Sequence, residues 1–317
     1  MKKNLTIAFL LTLVISACGS SDSANTTSID VPGNTETTPV DVPDDTNGID
    51  PTFTGVPYDY VEYQDALDKA NLQQTDLSDC TNNDVDASCS KSDVVKAGGY
   101  NDYEDNYFYI DEYTGWLTFE MRGDSNRTEL RFSENFKTDT DSTIYTLSAE
   151  ILPVSPSTSV QDSNDGEEIT LLQVHNKGEN GATDETVLSH PLLRIVWDGE
   201  SRTDDASKKS YSNGYWAIIK TNAFECKNED NPNYNNNCPD SYDAYYLGAY
   251  NALTPIKFDV VIGDERLVIN VDDNQKVDFD IAYWSGLYSY FKAGVYNQYE
   301  SGNSVVMFKS VSVTESD

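Results

Sequence analysis

The reading of this chain turns on Tyr290-Phe291-Lys292-Ala293-Gly294-Val295-Tyr296-Asn297-Gln298. On a β-strand alternate residues face opposite ways, which puts Tyr290, Lys292, Gly294, Tyr296 and Gln298 on one face and Phe291, Ala293 and Val295 on the other. The second face is apolar and suited to packing. The first is a row of phenol, ammonium and amide groups with a glycine gap, and a proton donor beside a cation suits an anionic ligand.

Two other stretches repeat the arrangement. In Asn126-Arg127-Thr128-Glu129-Leu130-Arg131-Phe132, the residues Arg127, Glu129 and Arg131 share a face, against Thr128, Leu130 and Phe132. In Leu171-Leu172-Gln173-Val174-His175, Gln173 and His175 share a face against Leu172 and Val174. Any one row alone reads as a solvated strand face with cross-strand pairs. Three rows on neighbouring strands would make a surface of Arg, Gln, His, Lys and Tyr, the groups needed to bind a carboxylate, acidify the carbon beside it and move a proton. His190, which precedes Pro191 at a strand start, has no such company and reads as structural.

Working outward, the chain reads as strand after strand. Candidates are 116–121, 127–132, 144–152, 169–176, 192–197, 215–221, 244–250, 256–262, 266–271, 276–281, 288–296 and 305–313, most bounded by Gly, Asp, Asn or Pro. Ile262-Gly263-Asp264-Glu265-Arg266 and Val271-Asp272-Asp273-Asn274-Gln275 read as hairpin turns. Helix is expected only over 60–72. Many antiparallel strands without helical crossovers predict an all-β fold, an antiparallel two-sheet β-jelly-roll sandwich with a concave substrate groove, over residues 55–317.

The N-terminus is read separately. Met1-Lys2-Lys3 and the apolar run Leu5 to Ile15 are too short to span a bilayer and read as an export signal. Ile15-Ser16-Ala17-Cys18 resembles a bacterial lipoprotein cleavage box, which implies a signal peptide over 1–18, lipidation of Cys18 and, with Gly19 following, sorting to the outer membrane of the cell envelope. Residues 19–54 carry seven acids, no base and almost no large apolar side chain, so a disordered tether is expected. The other cysteines, Cys80, Cys89, Cys226 and Cys238, form two sequence-local pairs in polar surroundings. An even count in an exported chain favours disulfides; of three pairings, Cys80–Cys89 with Cys226–Cys238 closes short loops. Neither histidine lies near these cysteines, so no metal is expected there.

A net charge of −33 excludes nucleic acid and an anionic membrane surface as partners, so contact with the membrane is expected only through the lipid. The acids crowd into the tether and the runs 162–168 and 228–240, and screening within about 10 Å lets a local cationic groove persist on an acidic body.

The segments Arg127-Thr128-Glu129-Leu130-Arg131, Gln173-Val174-His175 and Tyr290 to Gln298 resemble, in order, the three signature segments of polysaccharide lyase family seven, the alginate lyases. Phe132 departs from relatives that carry an acid there, but it sits on the packing face. The resemblance implies β-elimination at the 1,4-linkage of mannuronate and guluronate polymers, leaving unsaturated uronate ends. Arg127 and Gln173 would neutralise the carboxylate, His175 would assist or take the C5 proton, and Tyr296 would protonate the leaving oxygen. Arg131 and Lys292 would grip neighbouring carboxylates. Glu129 would orient the arginines, and Tyr290, Asn297 and Gln298 would complete the substrate surface. Val174 stands where relatives carry Val or Ile, the former leaning towards mannuronate. No cofactor is implied, alginate is the expected partner, and the chain is expected to act as a monomer. The rival readings are a non-catalytic carbohydrate-binding module on the same sandwich and a lyase for another polyuronate such as glucuronan.

Overall fold

The structure, a computed structural model, describes residues 55–78, 89–140, 142–155, 168–178, 190–223, 241–298 and 303–317. The expectations for the export signal, Cys18, the tether, Cys80, Cys226 and Cys238 lie outside the described residues, as do those for the acidic runs 162–167 and 228–240. Residues Asp50–Asp317 belong to one compact unit.

Helix α1 (Val61–Lys69) leads directly into β1 (Ala70–Thr75), followed by β2 (Lys91–Val95), β3 (Phe108–Ile110), β4 (Leu117–Arg122), β5 (Asn126–Phe132), β6 (Phe136–Lys137), β7 (Ile144–Ser155) and β8 (Glu168–Gly178). Then come β9 (Leu193–Thr203), β10 (Ser210–Lys220), β11 (Tyr242–Ala249), β12 (Ile256–Gly263), β13 (Arg266–Val271), β14 (Asn274–Asp280), β15 (Tyr288–Asn297) and β16 (Asn303–Ser316). One sheet has the order β11-β10-β9-β8-β15-β5-β1-β2, with β6 joined to β15; the other has the order β14-β13-β12-β7-β16-β4-β3. Every pairing is antiparallel. The fold is the all-β jelly-roll sandwich read from the sequence.

The alternation that defined the strands also builds the core. Leu130, Leu172, Val174, Ile195, Phe291, Ala293 and Val295 from the first sheet join Leu147, Ile151, Phe258, Val260, Val306 and Phe308 from the second in one buried cluster. Each large aliphatic or aromatic side chain taken fully from water contributes roughly 1.5–3 kcal/mol. With its inner face spent on packing, the first sheet has only its outer face for polar rows.

All twelve anticipated strands are present. Their hairpins close on two-residue turns in which both central residues have positive φ, Asp264 (49°) with Glu265 (57°) and Asp272 (48°) with Asp273 (62°). That is the turn whose twist matches a right-twisted hairpin. Four strands were not foreseen. β1 is Ala-Asn-Leu-Gln-Gln-Thr and β2 is Lys-Ser-Asp-Val-Val, both weak in strand formers, while β3 and β6 are very short. The expected helix over 60–72 is corrected at its end. It stops at Lys69, because Ala70, Asn71 and Leu72 pair with Phe132, Arg131 and Leu130 of β5. Sheet pairing outweighs another turn of a short, weakly amphipathic helix.

Candidate active site

β15 is central to the first sheet, flanked by β5 and β8, and the register brings the three polar rows together. Tyr296 faces Arg127, Gly294 faces Glu129 and Lys292 faces Arg131 across the β5 side; on the β8 side Lys292 faces Gln173 and Tyr290 faces His175. Gly294 has φ +145°, and a Cβ there would stand 2.4 Å from the Thr128 carbonyl oxygen and 2.7 Å from Glu129 Cα. The gap in the polar row is therefore where β15 presses against β5, and only glycine fits. Beside it the β15–β8 register slips between Ala293 and Tyr296, and the β8–β9 register slips between Thr170 and Leu172. These bulges break strict alternation. Leu171 and Leu172 both enter the core, while the Thr170 hydroxyl donates to Gln298 Oε1 at 3.2 Å.

Glu129 is the hub. It is 1% exposed and accepts from the Lys292 ammonium and the Gln173 amide, with Arg127 Nη1 at 3.7 Å. Burial pushes its carboxyl up, but the Lys292 and Arg127 charges and the two hydrogen bonds outweigh that and hold it below its usual value. Burial brings Lys292 down to about 8; Glu129 opposes the fall, and Arg127 and Arg131 add to it. Two fixed cations, Lys292 and Arg127, thus share one carboxylate, leaving a local positive excess on an acidic chain. Arg127 Nε is buried without a hydrogen-bond partner among the described residues. Such a seat calls for an anion.

His175 and Tyr296 flank this seat. His175 Nδ1 lies 3.1 Å from the Asn176 carbonyl oxygen, which can only accept, so Nδ1 carries the proton and Nε2 keeps its lone pair. Burial first, then the Lys292 charge, bring this imidazole down to about 3, with Asn176 and Glu129 opposing, so it is neutral at ordinary pH. Its ring stacks on Tyr290 at 5.3 Å, and the Arg131 guanidinium covers the same tyrosine at 4.2 Å. The Arg127 guanidinium lies 4.5 Å from the centre of the Tyr296 ring. A cleft of about 270 Å³ opens here, lined by Arg127, Gln173, His175, His190, Pro191, Arg194, Tyr242, Tyr296 and Gln298.

The structure alters several sequence expectations. Asn297 belongs to the packing face: it is fully buried, donates to the Gly123 carbonyl at 2.8 Å and accepts from Ser304 at 2.5 Å, so it lies away from the groove. Lys292, expected to grip a carboxylate, is 1% exposed and spends its ammonium on Glu129. Glu129, expected to orient the arginines, bonds chiefly to Lys292 and Gln173. Tyr290 is 9% exposed and serves as the support on which His175 and Arg131 rest. His190, read as structural, lines the cleft.

Arg194 and Tyr242 were not anticipated. Arg194 faces Gln173 and donates to Glu168 and, at 2.9 Å, to Gln298. Its signal was available, as the single cation inside the apolar run Leu192-Leu193-Arg194-Ile195-Val196. Tyr242 lies beneath the Lys220 ammonium, 4.3 Å from its ring centre, and no spacing in the sequence announces it. Elsewhere, Cys89 is disulfide-bonded.

A jelly roll whose outer sheet face seats a carboxylate between fixed cations, with a neutral imidazole and a phenol beside it, has the equipment of a polyuronate-cleaving lyase. The comparisons with known proteins make this specific. The family model described as alginate lyase matches residues 72–315, and the chain belongs to that family. An alginate lyase of Photobacterium sp. (strain ATCC 43367) is 33% identical over 264 residues, 81% of this chain and 87% of that protein. The solved structure of alginate lyase AlyC3 superposes with a TM-score of 0.71 at 34% identity, covering 84% of this chain and 99% of that one. AlyC3 in complex with dimannuronate gives 0.70 at 34%, covering 82% and 94%. The family 7 alginate lyase A1-II′ in complex with its substrate GGMG, at 17% identity and a TM-score of 0.57 over 83% of this chain and 97% of that one, shares the fold.

Proposed function

We propose that this chain is an alginate lyase in which Arg127, Gln173, His175 and Tyr296 carry the elimination. The observation that carries the assignment of roles is the Glu129 hub, which fixes Gln173, Arg127 and Lys292 around one excess of positive charge directly beside His175 and Tyr296. A uronate carboxylate seated there is neutralised by Arg127 and the Gln173 amide, and the C5 proton becomes removable as charge spreads into the carboxylate. When that proton leaves, its electron pair forms the C4–C5 double bond, the C4–O4 bond breaks, and O4 takes a proton.

For guluronate, where proton and leaving oxygen lie on opposite sides, His175 Nε2 takes the C5 proton and Tyr296 protonates O4. For mannuronate, where they lie on the same side, the Tyr296 oxygen serves both steps, taking the C5 proton and delivering one to O4. Arg131 and Gln298 hold neighbouring sugars. Val174 is fully buried on the packing face, so its bearing on block preference acts only through the seating of Gln173 and His175. The dimannuronate bound by AlyC3 supports a mannuronate-leaning groove.

Following ultraviolet absorbance of the unsaturated product on polymannuronate, polyguluronate and glucuronan tests the function. Signal on either alginate block is expected; signal on glucuronan alone would move the substrate, and binding without signal would leave a carbohydrate-binding module.

The envelope assignment belongs to the same reading. The lipobox-like Ile15-Ser16-Ala17-Cys18 and the acidic stretch that follows support a lipid-anchored, outer-membrane enzyme, and the even count of the other cysteines with a disulfide-bonded Cys89 supports pairing Cys89 with Cys80 and Cys226 with Cys238. Mass spectrometry of the membrane-extracted protein should find a diacylglyceryl group on Cys18; a mature chain cut elsewhere would end that part of the reading.

A further inference from the structure

Lys91, on the edge strand β2, lies on the same cross-strand line as Arg127 and Tyr296. Lys91 faces Thr75 in the β2–β1 register, the Thr75 hydroxyl accepts from the Arg127 amide at 3.0 Å, and Arg127 faces Tyr296. Asp93, the neighbouring groove-face residue of β2, is already engaged by the Asn71 and Gln73 amides and by Lys96. Lys91 is not engaged in this way. Lys69, Lys96, Lys208, Lys257 and Lys309 each hold a carboxylate, whereas Lys91 forms no ion pair among the described residues, on a chain with 54 acids and 21 bases. Desolvation and then the Arg127 charge bring its ammonium below the usual value, with Asp124 and Glu129 opposing. It is an exposed cation within the field of another cation, on the groove face of the sheet.

Adjacent strands lie about 4.8 Å apart, and a 1,4-linked pyranose chain laid across them advances roughly one sugar per strand. β2 is separated from β5 by β1 alone. Resting on the lyase reading above, we propose that Lys91 grips the carboxylate of a uronate two sugars along the groove from the one seated at Arg127. It is thereby a length- and charge-selecting residue of the lyase, sorting long polyuronates from short ones without touching the reacting atoms.

The test is steady-state kinetics of Lys91→Met and Lys91→Arg on mannuronate oligomers from trimer to hexamer and on polymer, with calorimetry of the dimer. For Lys91→Met, KM on hexamer and polymer should rise roughly three- to tenfold with kcat retained, while the affinity of the dimer, too short to reach from Arg127 to Lys91, is unchanged. Lys91→Arg should restore KM, and raising the salt should shrink the difference. An active wild type whose Lys91→Met variant keeps its KM at every length, or loses kcat equally at every length, overturns this proposal alone. A wild type inert on every uronate polymer would take down the lyase reading and this proposal together.

Discussion

Arg127 and Tyr296 face each other across β5 and β15, with the guanidinium carbon 4.5 Å from the centre of the phenol ring. The contact fixes the ring, and Tyr296 lines the cleft. Tyr296→Phe keeps the cation–π contact and removes only that oxygen. Turnover should disappear while oligomannuronate affinity, read by calorimetry, stays within about threefold. Retained turnover would remove the phenol from the chemistry.

Replacing Arg127 by Ala removes a donor to a charge that grows in the transition state. The expected loss is roughly 10²- to 10³-fold in kcat, with a much smaller change in KM. Arg127→Lys should recover little, because one ammonium does not reproduce a planar fork. A pure KM effect would reassign Arg127 to substrate grip.

Breaking the buried Glu129–Lys292 pair from one side leaves an uncompensated charge, so Glu129→Ala should cost about 3–5 kcal/mol in urea denaturation. Glu129→Ala combined with Lys292→Met should be less destabilised than Glu129→Ala alone. The linkage has a definite sign. Glu129 is depressed in the fold, so its contribution is present above its ordinary value of 4.5 and is lost as pH falls through the folded value. Lys292 is depressed from 10.5 to about 8, so its protonation opposes folding below that range and the opposition fades as pH rises through it. A double variant no more stable than Glu129→Ala would show that the two charges are not coupled.

The pH profile of kcat/KM separates the imidazole from the ammonium. His175 is brought far below its ordinary 6.5 by burial and by Lys292, so no acidic limb should appear near that value. An alkaline limb near 8 should follow loss of the Lys292 proton, and Lys292→Arg should abolish it. A limb at the ordinary imidazole value would mean that His175 is solvated and carries charge.

Gly294→Ala places a methyl 2.4 Å from the Thr128 carbonyl oxygen at a φ of +145°. The protein should lose at least about 3 kcal/mol, with activity falling further as Glu129 is pushed aside. A thermal melt and a rate measured below the new midpoint check both parts; an unchanged melt would show that β5 yields freely.

The sequence made the strands legible where alternation was strict, because packing against the second sheet demands that period. It failed at β1 and β2, whose residues are held by pairing to β5 rather than by their own propensity. It failed again at the bulges, where Leu171 turns inward out of step. Within the site, the rows were readable but the sharing of Glu129 among Lys292, Gln173 and Arg127 was not, because it depends on register between segments distant along the chain. Asn297 shows the same limit from the other side: strict alternation placed it on the packing face, and its inclusion among substrate contacts ignored that period.

The two strands nearest the C-terminus, β15 and β16, each occupy the interior of a sheet, β15 between β8 and β5 and β16 between β7 and β4. Neither sheet can close until β15 and β16 have been made, and both closures join segments far apart in sequence, which makes assembly slow and late. A chain clipped before Tyr288 would leave five strands, β4, β5, β6, β7 and β8, without a partner they have in the full fold, and would hold no groove. Catalytic activity in this protein is therefore also a sign that synthesis has passed β16, since a chain stopped short of β15 has no groove in which to cut the polymer.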